Sequence, residues 1–201
     1  MPVELGKSLV IAKKDMLMYY LKGPVVIFGV ILPLFLFLAF YVGRELPLTF
    51  LIPGLLSMTL FFSSSAVSPV IAPWETQMKT LERLISCPIS VSTMVLGDVL
   101  ASSAFGVMLS VVPIFLGVFL GVVPIHPLTL AASMVLGAFC FSSLMLILSA
   151  YPTRVPATVM MLSSLLKFPL VFISGIFIPL ESLPLWGVAV SLLSPLTYFT
   201  E

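Results

Sequence analysis

Five runs of apolar residues, Val25–Val42, Leu51–Ile71, Val99–Val123, Leu128–Ala150 and Ala157–Ile178, take up most of the sequence. A helix rises about 1.5 Å per residue, so roughly 20 residues cross a hydrocarbon core of about 30 Å. The pattern predicts five membrane spans in an all-α bundle. Two segments break it. In Glu4–Leu21, apolar Leu5, Leu9, Ala12, Met16 and Tyr19 recur near i, i+4, i+7, i+11 and i+14, away from Glu4, Lys7, Ser8 and Lys14. Residues 1–22 therefore predict an amphipathic helix, ended by Gly23-Pro24. Two readings of it stand: a helix in the headgroup plane, or a solvated leader that orders on a partner.

The other segment, Trp74–Ser90, is polar and lies between spans two and three. Trp74, Met78, Leu81 and Ile85 recur at i, i+4, i+7 and i+11, so Glu75–Ser86 is expected to be one short helix. Pro73 suits its start, and Cys87-Pro88 ends it because a residue before proline avoids the α region. Glu75 and Lys79 form an i, i+4 pair worth about 0.2–0.5 kcal/mol if exposed. The helix either floats on the membrane surface or docks as a lever into a soluble protein.

Composition fixes the medium. The chain is 60% hydrophobic and 8% charged, too few charges for a water-soluble domain of 201 residues. A net charge of +1 gives no footing for nucleic acid. Cys87 and Cys140 have neither metal-ligand spacing nor a disulfide framework. No cleavable signal peptide is expected, and the first span serves as an uncleaved anchor. Lys7, Lys13, Lys14, Lys22, Lys79, Arg83 and Arg154 fall on one side of the spans, against Arg44 on the other. The N-terminus, the Trp74–Asp98 segment and the Tyr151–Pro156 loop are therefore expected in the cytoplasm.

Within the spans, Gly117 and Gly121, and Ser133 and Gly137, have the i, i+4 spacing that lets helices approach closely. Pro33, Pro53, Pro69, Pro113 and Pro169 predict kinks. Ser57, Ser63, Ser64, Ser65 and Ser68 make a polar patch, either at a helix contact or along a cavity. Lys167 is the one cation in a span, where a lysine costs about 2.5–3.5 kcal/mol on an insertion scale. It shares a helix face with Ser163, Ser164, Val171 and Ser174, and Pro169 frees the Leu165 carbonyl nearby as an acceptor. Lys167 either snorkels to the cytoplasmic headgroups or lines a translocation path and attracts an anionic group. His126, in the short turn Pro124–Pro127, is expected to be solvated.

Gly6-Lys7-Ser8 superficially matches the end of a phosphate-binding loop, but that loop needs a glycine at the position of Met1 and a preceding strand. No ATP or other cofactor is expected on this chain. The five spans hold no Asp or Glu, which disfavours a gradient-driven secondary transporter or channel. A membrane enzyme would need His, Asp or Glu clusters alongside the serines. A non-transport scaffold stands as a further alternative.

The run Trp74-Glu75-Thr76-Gln77-Met78-Lys79-Thr80-Leu81-Glu82-Arg83-Leu84-Ile85-Ser86-Cys87-Pro88-Ile89-Ser90, followed by Gly97-Asp98, resembles the cytoplasmic loop of ABC-2 type transporter permeases. Asp98 stands where that family usually has Lys. Ser174–Trp186 and Ser194-Pro195-Leu196-Thr197-Tyr198 are similar to the end of span five and the external segment that follows it. The resemblance implies an exporter subunit in the cytoplasmic (inner) membrane. Its partners would be ABC ATPase subunits, which carry ATP and Mg, and a second permease subunit, identical or different. It implies a coupling helix that meets the ATPase through Glu75, Met78, Lys79, Thr80, Leu81, Glu82 and Arg83. It also implies that segment 179–201 dips back into the outer leaflet, making Gly175, Glu181 and Trp186 a candidate external gate. A sixth span is expected to begin where the chain stops at Glu201.

Overall fold

The computed structural model describes residues 2–42, 47–122, 126–153, 155–177, 184–192 and 194–200. Arg44, Arg154, Ile178 and Glu181 lie outside them. All regular structure among the described residues is helical, with ten α-helices: α1 (Pro2–Asp15), α2 (Gly23–Tyr41), α3 (Leu48–Ser64), α4 (Ile71–Gln77), α5 (Thr80–Ile85), α6 (Val91–Phe119), α7 (Pro127–Leu146), α8 (Pro156–Ile173), α9 (Leu185–Ser191) and α10 (Pro195–Thr200). A π turn, Met16–Tyr20, extends α1, and 3-10 turns lie at Ser68–Val70 and Ile147–Ala150.

Four segments are long and apolar enough to cross a bilayer: Leu48–Gln77, Val91–Phe119, Pro127–Ala150 and Pro156–Ile173. A fifth is counted when Val25–Leu36 is taken with Glu4–Tyr20, from which it turns by 90°. The bundle is apolar outside as well as inside. Phe115, Phe119, Leu136, Leu165 and Met161 are exposed, as expected where the surrounding solvent is hydrocarbon.

α3 is the central element, with Leu55, Met58, Leu60 and Phe61 buried against α2, α6, α7 and α10. Phe61 meets Phe141 of α7 edge-on at 5.2 Å. The serine patch belongs to this contact. Ser63, Ser64 and Ser65 are fully buried, and each donates to a carbonyl of its own preceding turn, which satisfies a hydroxyl inside an apolar bundle. A Cβ on Gly106 would sit 2.7 Å from that of Ser64, so glycine at this position allows α6 to lie close on α3. Pro33, Pro53, Pro113 and Pro169 lie inside helices that continue past them.

Three sequence expectations change. The second span does not run as one helix to Ile71. α3 ends at Ser64, the chain turns through Ser65–Val67, and the 3-10 turn carrying Pro69 leads into α4. Proline cannot donate the intrahelical bond there, and three consecutive serines bonded back to their own carbonyls weaken the ladder before it. The third span starts at Val91, not Val99. Ser90 caps it by accepting from the Thr93 N–H at 3.2 Å. At 29 residues, α6 is about 44 Å long and outruns the hydrocarbon core, which accommodates Asp98 in its second turn. The fifth span's helix ends at Ile173, where Ser174-Gly175 turns, Gly175 taking φ +84, a conformation glycine adopts without strain.

Candidate coupling site and buried cavity

The N-terminal helix builds one side of the site. Its buried face is Ser8, Ile11, Asp15 and Tyr19; of the predicted stripe, Tyr19 is buried and Ala12 and Met16 pack inward, whereas Leu5 and Leu9 are exposed. The buried face packs along α6. Ser8 Oγ donates to the Thr93 carbonyl at 3.0 Å. Gly97 admits Ile11 so closely that a Cβ there would lie 2.7 Å from it. Tyr20, fully buried, donates to Ser102 Oγ at 2.7 Å. The exposed Leu5, Leu9, Val10 and Leu17 then form a separate apolar face.

α1 also holds both ends of the Trp74–Ser90 loop. Lys14 donates to the Glu75 carboxylate and pairs with Asp15 at 3.0 Å. Lys7 Nζ donates to the Pro88 carbonyl at 2.8 Å. Burial alone would pull the Lys14 ammonium down, but the Glu75 hydrogen bond and the Asp15 charge outweigh it and raise its pKa. Asp98 lies beside the same cluster, near Asp15, Glu75 and Lys14. Tyr19 stacks on Trp74 with ring centroids 5.6 Å apart, which adds about 0.5–1.5 kcal/mol.

The loop itself is not one helix. α4 ends at Gln77, and Lys79 takes φ 55, the only non-glycine residue with positive φ among those described. α5 then starts in a new direction, with Thr80 Oγ1 donating to the Glu75 carbonyl at 3.2 Å. The predicted stripe from Trp74 to Ile85 is thus interrupted, and the expected Glu75–Lys79 pair is not formed. Glu75 is 3% exposed and faces Lys14 instead. No residue of α5 is buried. Met78 and Ile85 are 56% and 64% exposed, and Lys79, Glu82 and Arg83 are exposed beside them. Leu81 lines a cleft of about 410 Å³ with Ala72, Pro73, Thr76 and the Ser149–Thr153 turn.

Lys167 does not snorkel. It is 8% exposed, and its Nζ donates at 2.7 Å to the carbonyl of Ser65, at the break in span two. The Leu165 carbonyl freed by Pro169 is not its partner. A helix end leaves carbonyls without intrahelical partners, and the lysine satisfies one of them. Lys167 also lines a cavity of about 510 Å³ with Lys22, Gly29, Leu32, Phe62, Ala66, Val67, Met160, Trp74 and Met78. Ser163, Val171 and Ser174 are buried on its face of α8, whereas Ser164 is exposed and bonds back to the Met160 carbonyl. Ser163 Oγ is buried with no hydrogen-bond partner.

At the other end of the bundle, α10 packs against α3 and α7, with Leu196 and Thr197 buried and Phe199 6.0 Å from Phe141. Thr200 Oγ1 donates to the Ser174 carbonyl at 3.4 Å. Gly175 forms the turn before it. Trp186 falls on α9, its side chain outside the described residues, as is all of Glu181.

Fold and site define a polytopic membrane protein whose central span is broken and continues into an exposed helical loop. The chain matches the family described as ABC-2 type transporter over residues 9–201, and it belongs to that family. It is a membrane permease subunit and not itself an enzyme. Membership implies association with separate ATP-hydrolysing subunits. No curated protein matches the chain, and no solved structure does.

Proposed function

We propose that this subunit exports its substrate across the cytoplasmic membrane with the N-terminus and the Trp74–Ser90 loop in the cytoplasm. A partner ATPase grips α5 and drives span two through α4. The carrying observation is that α5 is a charged helix with no buried residue, joined through one short helix to the most buried span. An exposed Ile85 on this helix and an exposed Met78 in the break before it suit the apolar anchors of a partner contact. Met78, Lys79, Thr80, Leu81, Glu82 and Arg83 make the contact set. Glu75 serves by tying the loop to α1. The cleft beside Leu81 gives the partner a second foothold against the Ser149–Thr153 turn.

Force arriving at α4 would pivot about Ser65–Val67, where Lys167 holds the free carbonyl. The path runs along the Ser163, Lys167 and Ser174 face of α8 and is completed by a second permease subunit. Ser164, on the exposed side of α8, faces that subunit. Gly175, Glu181 and Trp186 close the outer end. Leu81→Asp and Arg83→Glu are expected to lower transport per ATP hydrolysed by at least about tenfold, the equivalent of 1.4 kcal/mol of lost coupling, with membrane insertion intact. Wild-type coupling in both variants, measured in proteoliposomes with the co-purified ATPase, overturns the assignment.

A further inference from the structure

The cavity beside Lys167 has walls from α2, α8, the α3–α4 junction and the Tyr19–Trp74 stack. Its volume, about 510 Å³, falls within the range of about 300–1,000 Å³ for ligand pockets. The surface is overwhelmingly apolar: Leu32, Phe62, Val67 and Met160 line its interior. Among the described residues, two ammonium groups, Lys22 and Lys167, are its only charges. Among the described residues no carboxylate pairs with either of them; the ion pairs all belong to Lys14. A buried ammonium without a counter-charge is costly in so apolar a setting. Lys167 spends one of its three donors on the Ser65 carbonyl, which leaves two for another acceptor.

We propose that this cavity holds an anionic lipid from the surrounding bilayer, its phosphate paired with Lys167 after steering past Lys22, and its acyl chain against Leu32, Phe62 and Met160. The inference deepens the transport reading above by naming the chemistry that the α8 face receives. A zwitterionic lipid would bring an ammonium of its own between two lysines, and a neutral apolar ligand would leave Lys167 uncompensated. The apolar walls suit a chain and not a hydrophilic anion.

Trp74 lines the cavity and supplies the readout. The protein has two tryptophans, so Trp186→Phe leaves Trp74 alone. The full chain, purified free of partner subunits so that Trp74 is the only tryptophan, is reconstituted into phosphatidylcholine vesicles containing bromine-labelled phosphatidylglycerol or bromine-labelled phosphatidylcholine. Trp74 quenching then reports which lipid occupies the site, without ATP and without transport. The expected result is preference for the anionic lipid, of about fivefold per lysine. Lys22→Gln removes about one such factor, Lys167→Met removes the other, and Lys13→Gln, exposed on α1 outside the cavity, changes nothing. Equal quenching by both lipids overturns the proposal. So does an equal loss in Lys13→Gln, which would mark attraction to the membrane surface alone. Because the readout needs no ATPase, a negative result leaves the coupling assignment standing, and failure to capture an ATPase leaves this site standing.

Discussion

The two short helices of the Trp74–Ser90 loop are separated by a two-residue break, yet they stand in opposite relations to the molecule. α4 buries Ile71, Pro73 and Glu75 and is stapled to α1 by the Lys14 ion pair and the Tyr19–Trp74 stack. α5 buries nothing. Between them Lys79 takes a left-handed conformation that costs an L-residue roughly 1–2 kcal/mol. The proposed role as a handle needs both properties: one end fixed to what must move, the other left open to what moves it. A single continuous helix would have carried its charged face around to Glu75 and left nothing fixed. The bend lets Glu75 turn inward while Glu82 and Arg83 stay out.

The largest effect that tests this contrast is expected at Lys14. Its ammonium is the only ion-pair partner, among the described residues, of two buried carboxylates, those of Asp15 and Glu75. Lys14→Met leaves both without a counter-charge. Removing one member of a buried pair costs about 3–5 kcal/mol. The Lys14 side chain is 27% exposed, which places the loss near the lower end, about 3 kcal/mol. Thermal unfolding of the purified chain in mild detergent reads it directly. A shift no larger than that of a surface substitution would mean that α4 is not anchored through this cluster.

Much of this arrangement is legible in the apolar pattern and some of it is not. Spans were readable because lipid demands about 20 apolar residues in a row, and α2, α7 and α8 start within two residues of their predicted starts. The loop's place between spans two and three was readable from its charges. Two things were hidden for physical reasons. The buried face of α1 contains Ser8 and Asp15, so the apolar stripe located only its Ala12, Met16 and Tyr19 part; polar groups carry the rest of that contact. The break at Lys79 was invisible because the backbone turns at a residue with good helix propensity, where no glycine or asparagine marks it. For Lys167, burial and the Ser65 partner depend on where the third helix ends, which Pro69 suggested only as a kink.

A smaller effect is expected at the bend itself. Lys79→Gly keeps the left-handed turn and removes the steric penalty of its Cβ. Part of that gain is lost to the greater freedom of glycine in the unfolded chain, so the net change is about 0–1 kcal/mol toward stability. The same unfolding measurement checks it. A clear destabilisation would show that the Lys79 side chain, exposed here, makes contacts the bend relies on. Unchanged stability with weaker coupling to the ATPase would assign the side chain to the partner surface.

The smallest expected change in stability, and the sharpest test of the contrast, lies in α5. Ile85 is 64% exposed, and Arg83 is exposed with no ion pair among the described residues. Substitutions at such sites usually stay within about 0.5 kcal/mol. Ile85→Asp and Arg83→Glu should therefore leave the melting of the isolated chain where it is, while the Lys14→Met chain melts several degrees lower. Ile85→Asp should even improve behaviour in detergent, because it removes an exposed apolar side chain from a polar face. If either α5 variant unfolds as early as Lys14→Met, α5 is part of the folded body and cannot be the free arm. If both melt normally yet lose the ATPase on purification, the exposed helix is doing its work between proteins, and the division of labour between α4 and α5 holds.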